Sequence, residues 1–156
     1  MNAVDPVDQE IQQGNLWRAK EIHQGRVKQR GYDPQLYEAY GRLLADMGDH
    51  MEAGRFLFLS GAQVPEYREP VQLFLQRYGR HGWQQLVGTF PVAAKLPSLA
   101  DYPESVRTEL RRLGRPETLS PDATREVKEG GLGGSGLGCL FVLPLVLMIL
   151  AGMCGR

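Results

Sequence analysis

Few residues in this chain combine the types and spacing that chemistry needs. His23, His50 and His81 are scattered, and no His-Glu-x-x-His pair sets two ligands one helical turn apart with a base between them. His23 falls where a helical repeat wants a bulky inward side chain, so it reads as a packing histidine. Both cysteines, Cys139 and Cys154, lie within an apolar stretch. On a helix they would stand on the order of 22 Å apart, too far for a disulfide, and they make no zinc site. Glu66 and Glu69 sit three apart at an expected helix start, where carboxylates favour the first turn rather than forming an acid–base pair. Gly134, Gly136 and Gly138 faintly imitate a phosphate loop. An apolar run follows them instead of an α/β crossover, and no Lys-Ser/Thr is present. With no Gly-x-Ser-x-Gly either, the residues predict no enzyme, no cofactor and no metal site.

Charge narrows the partners. Lys and Arg number 18, against 18 Asp and Glu, so no excess of positive charge points to nucleic acid. Trp17, Trp83, Tyr32, Tyr37, Tyr40 and Tyr78 lie at helical packing spacings and read as core rather than as stacking platforms for bases. The basic runs around Arg77, Arg80 and His81 and around Arg107, Arg111, Arg112 and Arg115 are interleaved with Glu104, Glu109 and Glu117, and read as solvated helix faces. The first twenty residues carry early acids and no apolar run of seven or more, so no export signal is expected there.

The elements that position these residues follow from an internal repeat. "GNLWRAKEIHQG" starts at Gly14 and "GDHMEAGRFLFL" at Gly48, an offset of 34 residues. That period belongs to the tetratricopeptide repeat, a helix-turn-helix unit. The second unit matches its pattern with Tyr37 at the aromatic position, Gly41 and Ala53 at the small positions, Leu57 at the bulky position and Pro65 at the close. Gly41 and Ala53 are expected to face each other across the hairpin. Gly48 and Asp49 make the turn, because glycine accepts positive φ and aspartate caps the next helix.

The reading is all-α. Helices are expected over about 4–13, 16–29, 34–47, 50–62 and 66–78, then short pieces around Pro91 and a cleaner helix over about 101–113. "FLFLSGA", from Phe56, could be a buried strand, but its helix-forming flanks and the lack of a pairing strand favour a helix covered on both sides.

The stretch "YDPQLYEAYGRLLADMGDHMEAGRFLFLSG" resembles a family of small bacterial proteins of unknown function, marked by Met47-Gly48-Asp49, then Ala53-Gly54-Arg55 and an aromatic-aliphatic run. The resemblance covers about 16–78. The same stretch is similar, more loosely, to tetratricopeptide-like repeats, which implies protein binding and no particular activity.

Three segments are expected: a helical-repeat-like soluble domain over 1–114, a polar then Gly-rich linker over 115–136, and a transmembrane helix over 137–154. From Gly130 to Gly155 there is no charged residue. Eighteen apolar residues as a helix span roughly 27 Å, close to the ~30 Å hydrocarbon core of a bilayer. Leu137, Phe141, Leu143, Leu147 and Leu150 favour insertion, and membrane helices tolerate Pro144. The expected function is a tail-anchored, single-pass membrane protein whose cytoplasmic domain binds an unknown protein partner as a scaffold or adaptor. The alternative is a small pore-forming protein acting through the tail, whose self-association the Gly-x-x-x-Gly spacings at Gly130, Gly134 and Gly138 would support.

Overall fold

A computed structural model describes residues 4–120 of the chain. Among these the fold is all-helical. The seven α-helices are α1 (Pro6–Gln12), α2 (Leu16–Arg30), α3 (Pro34–Asp46), α4 (His50–Ser60), α5 (Arg68–Tyr78), α6 (Trp83–Gly88) and α7 (Glu104–Arg112). Single 3₁₀ turns join the later helices, and one isolated antiparallel bridge pairs Ser98 with Thr118.

Helix starts follow local chemistry. Asp5 caps α1 by accepting from the Val7 N–H at 2.7 Å, and Asp33 caps α3 by accepting from Gln35 and Leu36. Each is followed by proline, whose fixed φ suits the first helical position. Helix ends repeat one device. Gly14 (φ +78°) donates to the Ile11 carbonyl while Asn15 donates to Glu10. Gly48 (φ +81°) and Asp49 make the same two bonds to Ala45 and Leu44. This paired closure satisfies carbonyls that a helix end would leave bare, and it needs a residue at ease with positive φ. Gly82 also has positive φ, but a 3₁₀ turn over Gly79–His81 precedes it.

The helices pack in sequence order, and α4 is the most enclosed. It lies against α3 on one side and α5 on the other. Every residue from Phe56 to Ser60 is buried, as a helix covered on two sides requires. Gly61, in the left-handed region, ends it. Two glycines set its distances. A Cβ on Gly41 would fall 2.7 Å from Leu57 Cγ, and one on Gly54 would fall 2.0 Å from the Pro70 carbonyl oxygen. The atoms nearest Gly41 are therefore those of Leu57, not of Ala53. Ala53 is fully buried in the same core. The bulky Leu57 fills the space that Gly41 leaves, and Gly54 provides a second close approach.

The core continues through α6 and α7. Phe58 meets Phe74 and Phe90, and Phe90 meets Tyr102. The Tyr102 hydroxyl donates to the Ala94 carbonyl at 2.5 Å and accepts from the Leu96 N–H. The packed fold also runs past Gly114, where a linker was expected to begin. Arg115 is buried, with its guanidinium 5.0 Å from the centre of the Tyr102 ring and donating to the Leu96 carbonyl. Leu99 donates to Glu117 and Leu119 donates to Pro97, which ties this strand-like piece to the 97–99 loop. A polar composition concealed this, because backbone pairing and a cation over an aromatic ring need no apolar side chain.

No helix among the described residues is long and apolar enough to cross a membrane. The expected span over 137–154, with Leu137, Phe141, Leu143, Pro144, Leu147 and Leu150, lies outside the described residues.

Two glycine substitutions separate packing from propensity. Gly54→Ala is expected to cost about 1–3 kcal/mol or more, because the obstacle is backbone. Gly25, within α2, has nothing within 4 Å of an added Cβ. Gly25→Ala is expected to stabilise by about 0.5–1 kcal/mol. Urea unfolding of the full-length protein in detergent, followed by circular dichroism, measures both. Equal effects would remove the close α4–α5 contact from the account.

Candidate functional site

The repeat-packing residues gather around the α3–α4 hairpin. Tyr37 is fully buried and meets Phe56 edge-on at 5.4 Å. Leu57 fills the space at Gly41, Gly48 makes the turn, and Asp49 accepts from the Glu52 N–H at 3.3 Å. Pro65 opens the 3₁₀ turn before α5. These residues build the scaffold, and Asp49 alone among them carries a charge, which it directs to the cap and to Lys20 at 3.8 Å. Among the described residues no cluster of His, Cys, Asp and Glu could hold a metal ion.

A concave surface borders the same hairpin. A cleft of about 490 Å³ runs between α2 and α4 and is closed on one side by the loop after α6. Its floor is aromatic: Tyr40 and Phe56 stand 4.6 Å apart, and Phe90 comes from the loop. Val27 adds an aliphatic wall. Val92 stands at the rim with 64% of its surface exposed. Gln24, Lys28, Glu52 and Arg55 supply the polar lining.

Arg55 holds the cleft in shape. It pairs with Glu52 one turn away on α4 and donates to the Thr89 carbonyl at 2.9 Å, which fixes the loop against the helix. Its guanidinium lies 4.9 Å from the centre of the Phe56 ring. Its Nε is buried with no hydrogen-bond partner. Burial pushes the Glu52 carboxyl up, and the nearby Arg55 charge only partly opposes this.

A second groove, of about 470 Å³, lies between α1 and α3. It is polar, with Asp5, Asp8, Asp33 and Asp46 facing Arg26, Arg30 and Arg42. Arg26 donates to both Asp5 carboxylate oxygens, at 2.8 and 2.9 Å, and holds the Asp5 carboxyl below the usual carboxylate range. His23 forms part of the floor. It is 4% exposed and stacks on Tyr40 with ring centres 5.5 Å apart. Its Nδ1 is buried with no partner. Burial, and then the Arg26 charge, push its pKa down, so the neutral ring packs at neutral pH.

Sequence reasoning placed His23 in the packing and left Glu52, Arg55, Phe90 and Val92 unassigned. The i, i+3 spacing of Glu52 and Arg55 just before an apolar block was the available signal. The contribution of Phe90 and Val92 depends on a loop returning from far along the chain to α2 and α4. Trp17, expected in the packing, is 65% exposed. On α2 the buried positions are Ala19, His23 and Val27, so the inward face excludes Trp17. Lys20 covers one face of its ring at 5.4 Å.

The His23 environment fixes the sign of a pH effect. Its pKa is lower in the folded chain than in the unfolded one. The His23 contribution to stability is therefore full above about pH 6.5, the ordinary histidine value, and falls as pH drops below it, by at most about 1.4 kcal/mol per pH unit for one proton. His23→Phe keeps a ring on Tyr40 and is expected to flatten the fall in urea midpoint between pH 7 and pH 5. The Asp5 contribution is lost only below pH 4, outside that window. An unchanged slope in the variant would contradict the burial of a neutral His23.

Comparison of the chain with family models, with curated proteins and with solved structures finds no match to any of them.

Proposed function

We propose that this chain is a protein-interaction module held at a membrane. On this reading the domain is a short tetratricopeptide-like unit, the apolar stretch over 137–154 enters the bilayer, and the domain lies on the cytoplasmic side. The observation that carries the binding role is the preformed cleft between α2 and α4. It is aromatic at its floor, rimmed by the exposed Val92 and held open by Arg55. Recognition sites are commonly apolar concavities with a few placed polar groups, and this cleft fits that description. The Gly14 and Gly48 closures, 34 residues apart with the same hydrogen bonds, support the repeat reading.

A photoreactive amino acid placed at Val92 in the full-length chain tests this in cells. A discrete crosslinked adduct is expected from position 92 and none from the exposed Gln72. The adduct is expected in the carbonate-resistant membrane fraction. Leu147→Arg, which costs roughly 2.5–3.5 kcal/mol on the insertion scale, should move the protein out of that fraction, whereas Leu147→Ile should not. Identical crosslinking from both positions would defeat the binding role. Extraction of the unaltered chain by carbonate would defeat the membrane role.

A further inference from the structure

His23 sits where α1, α2 and α3 meet, and its surroundings suit only one of its two protonation states. It is buried, and it lines the groove between α1 and α3 together with Asp5, Val7 and Asp8 of α1. Its Nδ1 is buried without a hydrogen-bond partner. In the neutral ring that nitrogen can stand as a bare acceptor. A second proton puts an N–H on both ring nitrogens, and the one at Nδ1 becomes a buried donor with nothing to accept it. The neighbouring charges do not offset this. Arg26 on α2 has the same sign as a charged ring, and it already holds both oxygens of Asp5. Asp8 attracts the charge, but it is exposed to water. Elsewhere in the groove the two cations Arg30 and Arg42 face the two anions Asp33 and Asp46. Tyr40 stacks on the ring and favours a cation, yet that contact needs only α2 and α3. The fastening of α1 is light. Val7 is its one buried residue, and the Asp5–Arg26 pair is open to water on the Asp5 side.

We infer that α1 is a pH-released clasp: the neutral His23 ring lets it close over α2 and α3, and a protonated ring favours the state in which α1 has swung away. Opening α1 is the smallest movement that brings water to the α2 flank carrying His23. It disturbs the separate cluster of Val7, Ala19 and Leu43 and leaves the main core around α4 intact. Local openings of this kind cost less than global unfolding, and histidine is the side chain that titrates in mild acid. Release uncovers Ala19 and Leu43, with Leu16, Ile22 and Met47 beside them. An apolar face hidden at neutral pH is then presented as the pH falls. The sign follows from the proton. The open state binds it more tightly, so closure is complete above about pH 6.5 and weakens below that value. Asp5 does not titrate in this range, because Arg26 holds its carboxyl below the usual carboxylate range. The clasp is independent of the membrane and binding readings.

The test is hydrogen exchange of the full-length protein in detergent, at about pH 7.5 and about pH 5.5, either side of the ordinary histidine pKa. Each rate is divided by the intrinsic amide rate at that pH. The Gln9 and Gln13 amides donate to the carbonyls of Asp5 and Gln9 and so report α1. Their protection should fall severalfold between the two conditions, toward a ceiling of about tenfold set by one proton and one pH unit. His23→Phe and His23→Gln do not titrate, and each should hold the α1 protection constant. The amides of Phe56 to Ser60 show whether a variant is folded. Constant α1 protection in the unaltered chain would overturn the clasp, and this comparison stands even if both variants fail to fold. In particular, a fall confined to the amides of Phe56 to Ser60 would mean that only global unfolding frees His23. A fall of equal size in a folded variant would assign the effect to another group and overturn the proposal as well.

Discussion

The close approach of α4 to both of its neighbours is the constraint on which the rest of the structure depends. A helix carrying Phe56, Leu57, Phe58 and Leu59 in succession has no polar face to offer water over that stretch, so it must be covered all round. Coverage at native density requires short interaxial distances, which large side chains at the crossing points would prevent. Gly41 on α3 and Gly54 on α4 remove that obstacle. The first accommodates Leu57, and the second lets the α5 backbone come within reach at Pro70. The later elements then close over the C-terminal end of α4. Gly61 packs against Pro103, and Ser105 donates to the Gly61 carbonyl at 3.0 Å.

The cleft follows from the same arrangement. α4 has one less crowded side near its start, and there it carries Glu52 and Arg55. Because α4 is fixed by its neighbours, Arg55 can hold a distant loop through the Thr89 carbonyl, and that loop brings Phe90 and Val92 opposite α2. A rigid helix, an ion pair one turn apart and a tethered loop make a preformed concavity. On the proposed binding reading, such a concavity would avoid the ordering cost that a flexible surface meets on binding.

The sequence made some of this legible for identifiable reasons. The turn at Gly48-Asp49 was readable because both residues have a local conformational reason to occur there, whereas the helix expected to reach 62 stops at Ser60, before the left-handed Gly61. The enclosed helix was readable because four bulky apolar residues in a row, flanked by helix formers, leave few other choices. Contacts that join distant parts of the chain were not readable. That Leu57 comes closest to Gly41 depends on how deep the helices interdigitate, which the repeat pattern does not specify. Arg115 looked like the start of a polar linker because its burial depends on Tyr102 and the Leu96 carbonyl, brought together only in the folded chain. The cleft was hidden for the same reason, since Val27, Phe56 and Val92 come from three separate elements.

Native-state hydrogen exchange on the full-length protein in detergent tests the central role of α4 most directly. If α4 is the enclosed element that fixes both core and cleft, its amides from Phe56 to Ser60 exchange only through global unfolding. They are then the slowest in the domain, while α1, held by Val7 and the Asp5–Arg26 pair, opens first. Exchange of the α4 amides as fast as those of α1 would contradict the account.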